Sequence, residues 1–540
     1  MTLYGYDTIS RLNSLSYKYN GIYEHEYTTS YIADNRITSF KLSSGQNDIF
    51  TVNPVFDGLG RQTSRTLKNS SGAQVDKKAY SFVAGAGGAN ASTSMIASVG
   101  YYGSDSTVDE TYTYTYDNIG NIKTVSKNGT QIASYTYNSL NELTGYTDAA
   151  GTVHTYEYSD GNRLQYNERT ALLYEDDVWL DRVTTIIDAE TYDDFAVTYD
   201  AIGNTLSYRN GMSFTWKNGR QLATFTQGQT SASYNYNESG IRTDKTVNGI
   251  TTTYQLDGSK IVSENRNGTV QEYFYDESGS VLGIVYNGSN YYFRKNFRND
   301  VLAILNASGS VVVGYSYDPW GNILSVTGSM ASTLGVDNPF RYRSYYYDTE
   351  SGLYYLNSRY YDAKVCRFVN ADDPEIIDGA NEHILENNLY AYCFNNPVNL
   401  TDDYGYWPSW AKKLVAAVAI TACVVAVAAA TVVTCGAAAP ALAAAGVGVV
   451  SSISASAVAT AANVAVAATV VSTAATYTYS RMETGSLYYA KNDPDPYARP
   501  GQKKQGRERK NKARKKDNWK PRSKPKVPKK HTPGRDHQKW

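Results

Sequence analysis

Along residues 1–330 one short unit keeps returning: a strand-like alternating run, then Tyr-Asp/Asn-x-x-Gly-Asn/Arg, then another such run. Copies read YDTISRL at Tyr6, FDGLGRQ at Phe56, YDNIGNI at Tyr116, YNSLNEL at Tyr137, YSDGNRL at Tyr158 and YDAIGNT at Tyr199. Further copies open at Trp216, Tyr236, Tyr254, Tyr275, Phe297 and Tyr317. From Tyr116 to Tyr317 the steps are 21, 21, 41, 17, 20, 18, 21, 22 and 20 residues; the long one spans an irregular acidic copy near Trp179–Arg182. A fixed period of this kind marks a stacked repeat, because each unit can bury its apolar face only against its neighbours.

Within a unit the chemistry is that of a β-hairpin. Asp or Asn opens the turn with a side-chain cap, and Gly supplies the position with φ > 0. Runs such as ETYTYTYDNIGNIKTV place tyrosines on one face and threonine or charge on the other. The 50 tyrosines suit such strands, since the ring packs while the hydroxyl stays polar. A lone hairpin is marginal in water, so successive ones are expected to pair into one long sheet. Taken singly, each Tyr-Asp motif is a turn and not a catalytic group. The Gly-Gly-x-Gly-x-Asp nonapeptides of calcium-binding β-rolls are absent.

The net charge of −1 hides an asymmetry. Of the 51 Lys/Arg and 52 Asp/Glu, 18 and three lie in 499–540, so the tail carries +15 and residues 1–498 carry −16. The cysteines Cys366, Cys393, Cys423 and Cys435 form no CxxC pair, so neither a disulfide framework nor a zinc site is expected. No phosphate loop, GxGxxG, HExxH or GxSxG is present, and no cofactor or metal is expected. Met1 is followed by TLYGYDTISRLNSL, which has neither the basic nor the apolar region of a signal peptide. It starts in mid-repeat, and a piece of a longer chain is the expectation.

Residues 414–480 contain no Asp, Glu, Lys or Arg and are rich in Ala and Val. Leu414–Thr434 has the length of a membrane-crossing helix, and close packing of small residues would suit it. Ala, Ser and Thr insert less favourably than Leu or Ile, so Ala-rich helices buried within the protein are the competing reading. The basic tail holds Trp519 and several prolines. It suits either electrostatic contact with a phosphate backbone or a solvated arm with no partner. It closes in HTPGRDHQKW. There His531, Arg535, Asp536 and His537 are the residue types of a metal-free nuclease site, although so short and charged a segment has little core to position them.

Between repeat and apolar run lies Phe340–Tyr406. From Gly352 it reads GLYYLNSRYYDAKVCRFVNADDP, and later NLYAYCFNNPVNLTDDYGYWP. These stretches are similar to the associated core of RHS proteins, GLYYLxxRYYDPxxGRFxxxDP followed by NNPVNxxDPxG, just as the repeats resemble the YD repeats of the RHS and teneurin family. The resemblance covers about residues 1–406. It implies a mainly β fold in which a spiral of hairpins forms a shell, with the core region plugging one end. It also implies an aspartyl self-cleavage that frees a C-terminal toxin. Carried over by position, Asp372 and Asp402 would be the carboxylate pair, Arg367 their charge partner, and the cut would fall after Tyr406. One of two such carboxyls would hold a proton while the other activates water. This chain has Ala363, Cys366 and Asp403 where the pattern has Pro, Gly and Pro, and Tyr406 in place of the common Leu.

The expected organisation is thus a repeat shell over 1–339, a core region over 340–406, an apolar helical segment of Ala-rich helices over 411–480 and a basic module over 481–540, the last a disordered tail. The resemblance implies a secreted or cell-surface shell protein of interbacterial competition, with an immunity protein as partner. Polyanion contact through the tail and membrane contact through 414–480 complete the expected partners. A surface adhesion protein with no released effector, and a small C-terminal nuclease, are the alternatives.

Overall fold

The computed structural model describes residues 2–19, 22–85, 92–159, 162–372, 388–402 and 405. Each strand of the repeat region pairs antiparallel with the next in sequence. The first sheet runs from β1 (Thr2–Tyr6) to β13 (Val153–Thr155), the second from β14 (Glu157–Ser159) to β18 (Asp194–Ala196), and the third from β19 (Thr198–Tyr199) to β32 (Ile323–Thr327). The breaks between sheets are one residue long, and the ladder bridges them: Tyr156 N–H donates to Thr144 O (3.0 Å) and Val197 N–H to Thr184 O (2.9 Å). One continuous meander results, as the hairpin repeat predicts.

The turns show why the motif has its residues. At Asp117, Oδ1 accepts the N–H groups of Ile119 (3.0 Å) and Asn121 (2.8 Å), while Oδ2 accepts the Asn121 amide (3.0 Å). Asp7, Asp57, Asp200 and Asp318 repeat this pattern, with Arg or Asn as the closing donor. The residue before that donor has positive φ, from Ser10 at 65° to Gly321 at 93°. This is the side-chain-capped turn that short polar residues favour.

The tyrosine has a different task. Tyr137, at the end of β11 (Thr130–Tyr137), donates its hydroxyl to the carbonyl of Ile122 (2.8 Å), the first residue of β10 (Ile122–Lys127) and the first after the preceding turn. Tyr31, Tyr116, Tyr158, Tyr174, Tyr199, Tyr275 and Tyr317 do the same to the strand before them, at 2.7 to 3.0 Å. Trp216 Nε1 (2.6 Å to Thr205 O) and Lys295 Nζ (2.6 Å to Val281 O) take the same place. Some turns also link forward: Arg11 reaches Ile32 O (2.9 Å) and Arg36 reaches Asp57 O (2.8 Å) in the next. So in these units Asp closes its own turn, and Tyr, Trp or Lys ties the unit to the one before.

These bonds also correct the register of several copies. The unit assigned to Phe297 opens at Lys295, because Asn296 makes the turn through Arg298 N–H (2.9 Å) and Asp300 N–H (3.0 Å). The units at Trp216 and Tyr254 turn through Asn218–Gly219 and through Gly258. The step of 41 residues contains a unit whose tyrosine is Tyr174 and whose turn is built on Asp176.

The meander returns on itself. Phe50 of the first sheet packs on Phe274 of the third, with ring centroids 5.9 Å apart, amid buried Leu42, Val52, Tyr292 and Leu305. Across this seam Arg65 makes a paired contact with Glu277 (2.9 and 3.0 Å), and Arg294 reaches Asp76 (2.8 Å) and Asp109 (2.7 Å).

A fourth sheet, β33 (Tyr346–Asp348), β34 (Leu353–Tyr355), β35 (Tyr360–Asp362) and β36 (Arg367–Phe368), carries the core region and is buried almost throughout. It is pinned to the repeats by ion pairs. Arg242, fully buried, grips both oxygens of Asp348 (2.6 and 3.0 Å), and Lys245 joins Asp348 (2.8 Å) to Glu350 (2.9 Å). The Arg242 guanidinium lies 4.2 to 5.4 Å from the rings of Tyr234, Tyr254, Tyr346 and Tyr355. Arg209 holds Asp362 in the same bidentate way (2.6 and 3.1 Å). The apolar segment and basic module assigned to 411–540 lie outside the described residues, and among the described residues no helix is long and apolar enough to cross a membrane.

Two outcomes follow from these contacts. Tyr137→Phe keeps the ring and removes the link to Ile122, so it should destabilise by about 0.5–1.5 kcal/mol, read as a lowered melting midpoint. Burial pushes the Asp348 carboxyl up, but Arg242 and Lys245 outweigh it and hold it below the ordinary carboxylate range. Its contribution is therefore present at neutral pH and lost as pH falls through that depressed value. A melting series below about pH 4 should show this loss, and Asp348→Asn should reduce that acid dependence.

Candidate functional site

Asp372 is placed by a repeat turn. Gly203, at φ 85°, accepts Ala371 N–H (3.2 Å) and the Tyr390 hydroxyl (2.9 Å) on its carbonyl. A Cβ at Gly203 would lie 2.7 Å from the Tyr390 oxygen and 2.9 Å from Ala371 Cβ, so the close approach requires glycine here. Beside it Thr205 Oγ1 donates to Val369 O (2.5 Å), and Asp372 N–H donates to Leu389 O (2.9 Å). Asp402 is placed from the other side, its N–H donating to the Tyr345 hydroxyl (3.0 Å).

The two carboxylates meet on one guanidinium. Arg359 Nη2 lies 2.9 Å from Asp372 Oδ2 and 3.1 Å from Asp402 Oδ2, and all three side chains are buried. The same arginine donates through Nη1 to Leu389 O (3.1 Å) and through Nε to Gly405 O, and it lies over the Phe368 ring at 3.5 Å. Gly405 is held at both ends: its N–H donates to Asp402 Oδ1 (2.9 Å), and its carbonyl also accepts the Ser358 hydroxyl (2.7 Å). At φ 73°, a Cβ there would meet Ser358 Oγ at 2.7 Å and Leu356 O at 2.8 Å.

Arg367, expected beside the pair, points elsewhere. It donates to the Tyr174 hydroxyl (2.9 Å) and to Asp181 O (2.9 Å), and lies over the Tyr390 ring at 4.7 Å. Arg359 takes the bridging position, because it precedes β35 on the side where Asp402 and Gly405 return. Tyr406, Asp403 and the tail residues His531, Arg535, Asp536 and His537 lie outside the described residues.

The departures from the core pattern have local consequences. Cys366 stands at φ 63°, a conformation that Gly adopts without strain, and its sulfur accepts the Asn167 amide (3.2 Å). Burial pushes this thiol well above its ordinary range. Ala363 uses its carbonyl to accept the Asn322 amide of the last repeat turn (2.8 Å). The Asn-Asn-Pro-Val-Asn run reads earlier turns: Asn395 donates to Glu142 (2.9 Å), Asn396 to Asn121 (3.3 Å), and Asn399 accepts Ile122 N–H (2.8 Å) while donating to the Tyr137 hydroxyl (3.0 Å).

Comparison with known proteins agrees with this architecture. The tRNA3(Ser)-specific nuclease WapA of Bacillus spizizenii is 35% identical over 283 residues, 50% of this chain and 12% of that protein. The tRNA nuclease WapA of Bacillus subtilis is 34% identical over 281 residues, with the same shares. The chain thus spans 12% of the length of these curated relatives. The Photorhabdus luminescens Tc holotoxin pore superposes with a TM-score of 0.56 at 16% identity, over 76% of this chain and 21% of that one, a likeness of fold. The Teneurin YD-shell family matches residues 92–398, more than half of the sequence, and the chain belongs to that family.

Proposed function

We propose that this chain is the shell and processing region of an RHS-type polymorphic toxin. In this reading residues 1–339 enclose cargo, 340–406 close the shell and cut the chain after Tyr406, and 481–540 form the effector that is freed. The observation that carries it is the Arg359 bridge between Asp372 and Asp402, with Gly405 clamped one residue before the proposed cut. One carboxyl holds a proton and the other takes one from water, which attacks the Tyr406 carbonyl. The protonated carboxyl supplies the leaving amine of Trp407. Arg359 and Ser358 hold Gly405, and Arg359 also orients both carboxyls, so it replaces Arg367 as charge partner.

The kinship with two proteins named as tRNA nucleases favours an RNA-directed effector. Within the tail, His531, Arg535, Asp536 and His537 would form the active groups, and the +15 charge would supply affinity for phosphates. An immunity protein, secretion to the cell surface, and membrane contact through 414–480 belong to the same reading.

Four variants test it. The full chain should resolve on a denaturing gel into fragments 1–406 and 407–540, and Asp402→Asn or Asp372→Asn should leave it intact. An uncut wild-type chain, or cutting that survives both substitutions, would refute self-cleavage. Arg359→Met leaves two buried carboxylates without their shared cation and should destabilise by roughly 3–5 kcal/mol, read by thermal melting. Arg367→Met should leave the cut in place.

A further inference from the structure

The copy that breaks the period, around Trp179–Arg182, buries an acid that its turn does not use. Asp181 is 7% exposed, while Glu175 and Asp177 of the same copy face solvent. Its Oδ2 accepts Leu389 N–H (2.9 Å), and its backbone carbonyl accepts Arg367 Nη2 (2.9 Å). Burial pushes the Asp181 carboxyl up, against the opposing pull of Leu389 N–H and Arg367. The Leu389 peptide is thus held from both sides. Its carbonyl accepts Asp372 N–H (2.9 Å) and Arg359 Nη1 (3.1 Å).

We infer that Asp181 is a positioning residue for self-cleavage, an inference that rests on the cleavage reading of Asp372 and Asp402. Asp181 touches neither carboxylate. It fixes the rotation of the Leu389 peptide, and that peptide sets where Asp372 and Arg359 stand. Without the carboxylate the buried Leu389 N–H has lost its acceptor, and turning to find another moves the carbonyl that aims Arg359. A regular copy has no carboxylate to spare for this task. Asp200 uses Oδ1 on Ile202 N–H (3.0 Å) and Asn204 N–H (2.9 Å), and Oδ2 on the Asn204 amide (2.8 Å). In the irregular copy Asp176 caps the turn through Val178 N–H (2.9 Å) and Trp179 N–H (2.9 Å), which leaves Asp181 for Leu389. Arg367 meets only the Asp181 backbone carbonyl, so its removal leaves the bond to Leu389 in place.

The test times the appearance of fragments 1–406 and 407–540 on a denaturing gel during cell-free synthesis of the full chain. Asp181→Ala should slow the cut about 10-fold or more. Asp181→Asn keeps an oxygen for Leu389 N–H and should restore the rate to within about threefold. Tyr275→Phe removes the link to Ile261 O in another unit and should leave the rate unchanged, which separates lost positioning from lost shell stability. Hydrogen exchange at Leu389 should quicken in Asp181→Ala and not in Tyr275→Phe. If Asp181→Ala does not melt cooperatively, Asp181→Ser, too short to reach Leu389, takes its place. Cutting by Asp181→Ala at the wild-type rate overturns this inference alone. Slow cutting by Asp181→Asn does the same, since charge and not the bond would then govern the rate. A wild-type chain that stays whole overturns it together with the cleavage reading.

Discussion

The buried contact between Arg242 and Asp348 is the constraint on which the central arrangement depends. A guanidinium with no exposure to solvent is tolerable only if its charge is answered where it sits. Asp348 answers the charge with two parallel hydrogen bonds, and four tyrosine rings surround the flat face of the cation. Arg242 belongs to the repeats and Asp348 to the core region, so neither can be satisfied unless the two are docked in one register. Arg209 with Asp362 sets a second such point, and together they fix β33 and β35 against the third sheet.

What the repeats supply is a surface of known spacing for that docking. Many units close their turn with Asp or Asn and tie themselves backward with a tyrosine hydroxyl, so turn ends recur at defined positions. The core region uses those ends. Ala371 rests on Gly203, Ala363 on Asn322, and Asn399 on Ile122 and Tyr137. Asp372 and Asp402 are thereby brought to one arginine from positions 30 residues apart in the sequence, and Gly405 is held beside them.

Much of this was legible in the sequence. The period, the capped turn and the glycine at positive φ follow from residue types alone, and Asp372 and Asp402 were identified from the similarity of the core region. The bridging arginine was not. Arg367 stands closer to Asp372 in sequence, but a guanidinium is shared by whichever carboxylates the fold delivers, and Arg359 is separated from Asp402 by a long return of the chain. The unit at Phe297 opens two residues earlier than its aromatic residue suggests, because Lys295 does the tyrosine's work, which only the bond to Val281 O reveals. Arg242 and Asp348 carry no local signature, since each reads singly as an ordinary surface charge.

The most direct measurement is a double-mutant cycle on this pair, comparing Arg242→Met, Asp348→Leu and both together by thermal or denaturant unfolding. If the pair docks the core region as described, Asp348→Leu strands the buried Arg242 and costs roughly 3–5 kcal/mol, Arg242→Met costs less because Lys245 still faces Asp348, and the double substitution costs less than the sum of the two. Additive costs, with the double variant losing the sum of the two, would contradict the account.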